Sequence, residues 1–230
     1  MVNYHALLEE IATLARCCGR DPGEVGLVAV SKEMPQVKLE EAYRQGCRDF
    51  AENRLPEALE KQMQLPKDIV WHWIGHLQRN KVKGVVGHFA LIHSVDSLSL
   101  AQKIAETGPA KILLEVNTSG EASKQGFTPD QLRAVYADLQ KLPNLHIAGL
   151  MTMAPLEGDI RGCFRALREL RDELQKVTVA PHTLHHLSMG MSNDYPLAIE
   201  EGATLLRIGT KLFSNEAHGK STATGNEITG

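Results

Sequence analysis

The sequence runs to 230 residues, 43% of them hydrophobic and 23% charged, which is the balance of a chain able to bury an ordinary globular core. A net charge of −3, no basic block and 5% aromatics argue against a surface for nucleic-acid phosphates or stacked bases. The opening Met1-Val2-Asn3-Tyr4-His5 lacks the basic start and apolar core of a signal peptide, and no apolar run reaches membrane-span length.

Leu7, Leu8, Ile11, Leu14 and Ala15 recur on one face, so an amphipathic helix is expected over 3–18. Asp21-Pro22-Gly23 breaks it. An apolar run over 26–31 reads as the first strand and delivers Lys32 to its end. Pro35 then opens a helix that runs to Arg44 and is closed by Gly46. The alternation continues with strands over 49–53, 69–74 and 90–95. A charged helix over 56–64 and a basic helix containing Lys81 and Lys83 separate them. Asp96 is expected to cap the helix bearing Leu98, Ala101, Ile104 and Ala105.

A strand over 111–116 runs into the polar loop Asn117-Thr118-Ser119-Gly120-Glu121. Thr128-Pro129-Asp130-Gln131 then combines an N-cap hydroxyl, proline at the first helical position and glutamine at the third, a capping box. A strand over 146–151 is followed by a long helix marked by Phe164, Leu167, Leu170, Leu174 and Val177. Strands over 184–188 and 204–208 flank a helix over 195–202. Some eight strands alternating with helices, with no linker between them, predict one α/β domain over 1–213. Its expected form is a single (β/α)8 barrel preceded by an N-terminal helix, with an open doubly wound sheet as the alternative. Residues 214–230, rich in small polar side chains, read as a tail.

Barrels place chemistry where strands end, at the C-terminal rim. Those positions carry Lys32, Asn53, His76, Asn117, Met151-Thr152-Met153, Ser188-Met189-Gly190 and Arg207-Ile208-Gly209-Thr210. They contain no carboxylate pair for glycosidase-type chemistry. They do contain an amine nucleophile, and glycine–hydroxyl turns suited to an anion near strands seven and eight. Those turns serve equally well as simple strand-to-helix connections. His72/His76 and His185-His186 fall short of a zinc ligand set, and packing explains them better. Cys17, Cys18, Cys47 and Cys163 show no C-x-x-C spacing, which indicates reduced thiols and a cytoplasmic setting.

Taken in order, these residues resemble the pyridoxal phosphate homeostasis proteins, single-domain barrels similar to the barrel of fold type III alanine racemases. The motifs are Val30-Ser31-Lys32, Glu52-Asn53-Arg54, Trp71-His72-Trp73-Ile74-Gly75-His76-Leu77-Gln78, Val116-Asn117 with Ser119-Gly120-Glu121, Leu150-Met151-Thr152-Met153, Leu187-Ser188-Met189-Gly190-Met191-Ser192 and Arg207-Ile208-Gly209-Thr210. They span nearly the whole chain. Two positions depart from the family's habit. Glu33 stands where many members have Thr, and Ala51 where Gly commonly precedes the Glu-Asn pair.

The resemblance implies that Lys32 forms a Schiff base with pyridoxal 5'-phosphate (PLP). It implies that Ser188, Gly190, Gly209 and Thr210 hold the phosphate, and that Arg207 faces the pyridine nitrogen. Asn53, His76 and Met191 line the ring or rim. A lysine desolvated near other cations is the expected nucleophile. The role implied is intracellular: holding PLP, buffering it or delivering it to apoenzymes, with indirect effects on amino-acid and keto-acid pools. Neither a nucleic acid nor a membrane is an implied partner, and a monomer is expected. The alternative is a PLP-dependent racemase or lyase, for which Tyr195 is the one tyrosine placed by sequence to approach the rim.

Overall fold

Short apolar strands separated by amphipathic helices bury both strand faces only when helices cover the outside of a parallel sheet. The computed structural model describes residues 2–213 and adopts that solution. Its eight strands are β1 (Gly26–Val30), β2 (Asp49–Glu52), β3 (Val70–Trp73), β4 (Leu91–Val95), β5 (Ala110–Glu115), β6 (Leu145–Met151), β7 (His186–Ser188) and β8 (Leu205–Ile208). They are parallel, pair in sequence order and close into a barrel. Closure comes from β1 against β8, with Val28 opposite Arg207 and Ala29 opposite Ile208. An open doubly wound sheet has no such ladder.

The outer layer is α1 (Tyr4–Cys17), α2 (Gln36–Arg44), α3 (Leu55–Gln64), α4 (Val82–Val85), α5 (Leu98–Thr107), α6 (Pro129–Leu139), α7 (Ile160–Gln175), α8 (Tyr195–Glu200) and α9 (Thr210–Phe213). Helix α1 buries Leu7, Ile11 and Ala15, the four-residue stripe legible in the sequence. At α6 the capping box closes as expected: Thr128 Oγ1 accepts from the Gln131 amide at 3.2 Å, and Gln131 Oε1 accepts from the Thr128 amide at 2.9 Å.

Three expectations are corrected. The cap of α5 is Ser97, whose Oγ accepts from the Leu100 amide, while Asp96 turns toward His76. The basic helix shrinks to a 3₁₀ turn over Arg79–Lys81 and the single turn α4. Val177 lies past the end of α7 and is exposed. Helix α9, unexpected from the pattern, directly follows β8.

Most of the core lies between the barrel wall and the helices, where Phe50, Ile112, Phe164 and Leu206 are fully buried. A separate apolar cluster of Leu91, Leu113, Ala148 and Met151, with Leu205 packed on it, sits apart from that core. Among the described residues no helix is long and apolar enough to cross a membrane. The polar stretch 214–230 lies outside the described residues.

Candidate functional site

Pairing of β1 with β8 brings the two ends of the chain's chemistry together. Lys32 leaves β1 two residues after Val30, and Arg207 stands on β8 opposite Val28, with Gly209-Thr210 continuing from it. Among the described residues the Lys32 amine makes no hydrogen bond or ion pair, and its side chain is exposed on the rim. The expected desolvation of Lys32 is therefore corrected: the end of β1 projects it clear of the core.

The loop carrying Lys32 is braced from below. Lys61 of α3 donates to the Ser31 carbonyl at 2.8 Å, to Glu52 Oε1 at 2.8 Å and to Glu57 Oε1 at 2.6 Å. Ser31 Oγ donates to the same Glu52 oxygen at 2.7 Å. Burial pushes the Glu52 carboxyl up, against the pull of Lys61 and Ser31. Glu33 adopts φ 61 and pairs with Arg54 at 3.0 Å over the outside of the loop.

Arg207 is buried, and its guanidinium donates from Nη1 to Ser188 Oγ at 2.6 Å and from Nη2 to the Thr152 carbonyl at 3.0 Å. Those bonds use two of its five N–H groups. Burial lowers its pKa to about 10, against the opposing pull of Glu115 and Asp194, so it remains a cation near neutrality.

Ser188 was expected to hold an anion. The structure instead turns its hydroxyl into the barrel, between Arg207 and His93, whose Nδ1 lies 2.9 Å away. The hydroxyl beside the anion turn belongs to Ser192, whose Oγ accepts from the Lys211 amide at 3.2 Å in the first turn of α9. In the same turn the Leu212 and Phe213 amides donate to the Gly209 carbonyl, each at 3.0 Å.

The two site glycines are required by space. A Cβ on Gly190, at φ 93, would lie 2.6 Å from the Ala198 Cβ, and one on Gly209 would lie 3.1 Å from the Val30 carbonyl. Met191 is held by its amide donating to Asp194 Oδ1 at 2.5 Å. Asn53 has a buried Oδ1 with no partner among the described residues. His76 is exposed, with Nδ1 3.4 Å from Asp96 Oδ2. Asn117 spends both ends of its amide inside its own loop, on Glu121, Ser119 and Gly120.

Tyr195 is corrected as well. Its hydroxyl is occupied by Glu10 of α1 and Lys211 on the outer flank, so it does not reach the rim.

Two functional candidates escaped the sequence reading. Glu115 ends β5 with 5% exposure, and burial, together with Asp96 and against Arg207, raises it to about 7. It is two residues from Leu113, so the strand period places it on the same face, a signal that strict alternation would have caught. His93 lies on β4, where burial and the charges of His72 and Arg207 push its imidazole well below the usual range. Its partners sit on β3 and β7, and no spacing in the sequence announces them.

Fold and rim define a racemase-type barrel, and comparison agrees: the family described as alanine racemase, N-terminal domain, matches residues 2–216. A pyridoxal phosphate homeostasis protein of Pseudomonas aeruginosa is 42% identical over 94% of this chain and 96% of its own. PipY of Synechococcus elongatus, solved with PLP bound, is 41% identical with a TM-score of 0.77, covering 89% of this chain and all of PipY. Alanine racemase of Corynebacterium glutamicum shares the fold alone, at 14% identity and a TM-score of 0.68 over 96% of this chain and 64% of the racemase. The chain belongs to the pyridoxal phosphate homeostasis protein family.

Proposed function

We propose that this chain binds PLP on Lys32 and acts in its homeostasis, holding the cofactor and buffering or delivering it to apoenzymes in the cytoplasm. The observation that carries the reading is the juxtaposition at the β1–β8 seam. A lysine amine with no partner among the described residues follows β1, and the paired β8 carries a buried arginine with spare donors and runs into a glycine–hydroxyl turn. When bound, PLP supplies an aldehyde that condenses with an amine to an imine and a pyridine ring that can accept electrons.

The residues fit that group. Gly190 and Gly209 leave the backbone free of side chains where a phosphate would approach, and Thr210 and Ser192 offer hydroxyls. Ser192 takes the role expected of Ser188. Arg207, charged near neutrality, would donate to the ring nitrogen and keep it unprotonated, which weakens the ring as an electron sink. Asn53, His76 and Met191 would line the ring or the rim.

A carrier without turnover is supported by what surrounds Lys32. Acid–base catalysis at an amino acid Cα needs a second group, worth roughly 10²–10⁴-fold. Tyr195 is engaged elsewhere, and Glu115 answers to Arg207 and Asp96. Borohydride reduction with PLP followed by peptide mapping should fix the cofactor on Lys32 and lose it in Lys32→Ala. Label scattered over surface lysines would refute the site. Conversion of an L-amino acid to its D-form that vanishes in Lys32→Ala would refute the carrier.

A further inference from the structure

A (β/α)8 barrel interior is ordinarily filled with branched aliphatic side chains. Here a continuous polar column runs through it. Arg207 Nη1 donates to Ser188 Oγ at 2.6 Å, and Ser188 Oγ lies 2.9 Å from His93 Nδ1. His93 Nε2 lies 2.9 Å from His72 Nδ1, and His72 Nε2 lies 3.0 Å from Asp49 Oδ1. Strands β4 and β7 are three apart in the closed barrel, so the His93–Ser188 contact crosses the interior. The column begins near the rim end of β8 and finishes on the first residue of β2, at the opposite mouth, where the Asp49 side chain is 46% exposed.

The proton order is settled by counting donors. Ser188 Oγ already accepts from Arg207, so its hydroxyl hydrogen must go to an acceptor, which makes His93 Nδ1 bare. His93 then carries its proton on Nε2 and donates to His72 Nδ1, leaving His72 Nε2–H to donate to the Asp49 carboxylate. In the reverse order the Ser188 hydrogen would be stranded in a fully buried site. The low basicity of His93 agrees with a neutral ring.

We propose that His93 and His72 are positioning residues for Arg207: with Ser188 and Asp49 they form a one-way hydrogen-bond chain that locks the guanidinium in the orientation it presents to the PLP ring. The inference rests on the PLP reading for its purpose but not for its geometry. The charged or titratable groups acting on His93 are His72, Arg207 and His186, and its two ring nitrogens face His72 Nδ1 and Ser188 Oγ.

Two measurements test it. Nitrogen-15 NMR of the ligand-free protein near neutral pH should show both histidines neutral, protonated on Nε2 and bare on Nδ1. A proton on His93 Nδ1 overturns the chain. PLP titration should then show about a tenfold loss of affinity in His93→Leu, the scale of one hydrogen bond to a charged group. In His93→Gln most of that loss should be recovered, since the amide oxygen accepts from Ser188 and the amide nitrogen donates to His72. Equal losses in the two variants overturn the positioning role. Ser188→Ala, which removes one oxygen, gives the same reading of about tenfold should His93→Leu fail to fold, and unchanged affinity there overturns it. Wild-type protein that binds no PLP sinks the cofactor reading alone, because the NMR result judges the chain without it.

Discussion

Glu115→Gln replaces one ionisable group in the barrel mouth with a neutral side chain of nearly the same shape. In the folded protein the Glu115 carboxyl titrates at about 7, against 4.5 for the free group, chiefly because burial disfavours the anion. Below pH 4.5 the group is protonated in both the folded and unfolded chains and contributes no pH dependence. Between pH 4.5 and 7 the unfolded chain ionises while the folded one keeps its proton, so wild-type stability declines across that window. The decline is complete once the folded group ionises too. A gap of that size is worth about 3 kcal/mol at 1.36 kcal/mol per unit. Urea denaturation of ligand-free wild type and Glu115→Gln at pH 4.5, 6 and 8 isolates this one group, since all other titrations cancel in the difference. The variant should gain about 3 kcal/mol relative to wild type between the ends of the series. A difference that stays flat with pH would show that Glu115 is not enclosed, and a change of opposite sign would mean that attraction to Arg207 outweighs burial.

Gly190→Ala should cost about 3 kcal/mol or more, because it combines a positive φ with a Cβ 2.6 Å from Ala198; a thermal midpoint within a degree or two of wild type would refute the packing. Lys61→Met should cost about 3–5 kcal/mol by stranding Glu52, whose side chain is fully buried, and should also slow borohydride-trapped labelling of Lys32 by loosening the Ser31 carbonyl. Unchanged stability there would mean that Glu52 simply takes up a proton. His186 is depressed to about 4, first by burial and then by Lys111 and neighbouring histidines. Stability should therefore fall as pH drops from 6.5 through 4, by roughly 1–2 kcal/mol once the partial exposure of the ring is allowed for, and His186→Asn should flatten that slope in acid denaturation.

Much of the architecture was legible because each element answers to its own neighbours in the chain. The capping box at Thr128 and Gln131, the stripe of Leu7, Ile11 and Ala15, and the short strands between Gly and Pro breaks all follow from local sterics and a period of 3.6 or 2. The rim residues were legible for the same reason: strand ends can be read from the pattern, and in a barrel they converge. Asp96 and Val177 were misread where adjacent residues compete. Ser97 and Asp96 both suit a cap, and periodicity alone does not say where α7 stops.

What the sequence by itself determined is therefore the order of elements, their apolar faces and which residues lie at strand ends, since these depend on separations of a few residues. Only the tertiary structure decided which of those residues meet. Seam closure pairs the strand that leads to Lys32 with the strand that carries Arg207 across most of the chain's length, and barrel curvature brings His93 to Ser188 across 95 residues. It also turned Ser188 inward, carried Tyr195 to the outer flank and left Glu115 raised between Asp96 and Arg207. The physical reason is that side-chain direction at a strand end, and the dielectric around a carboxyl or imidazole, are set by elements far away in sequence; no local period encodes them.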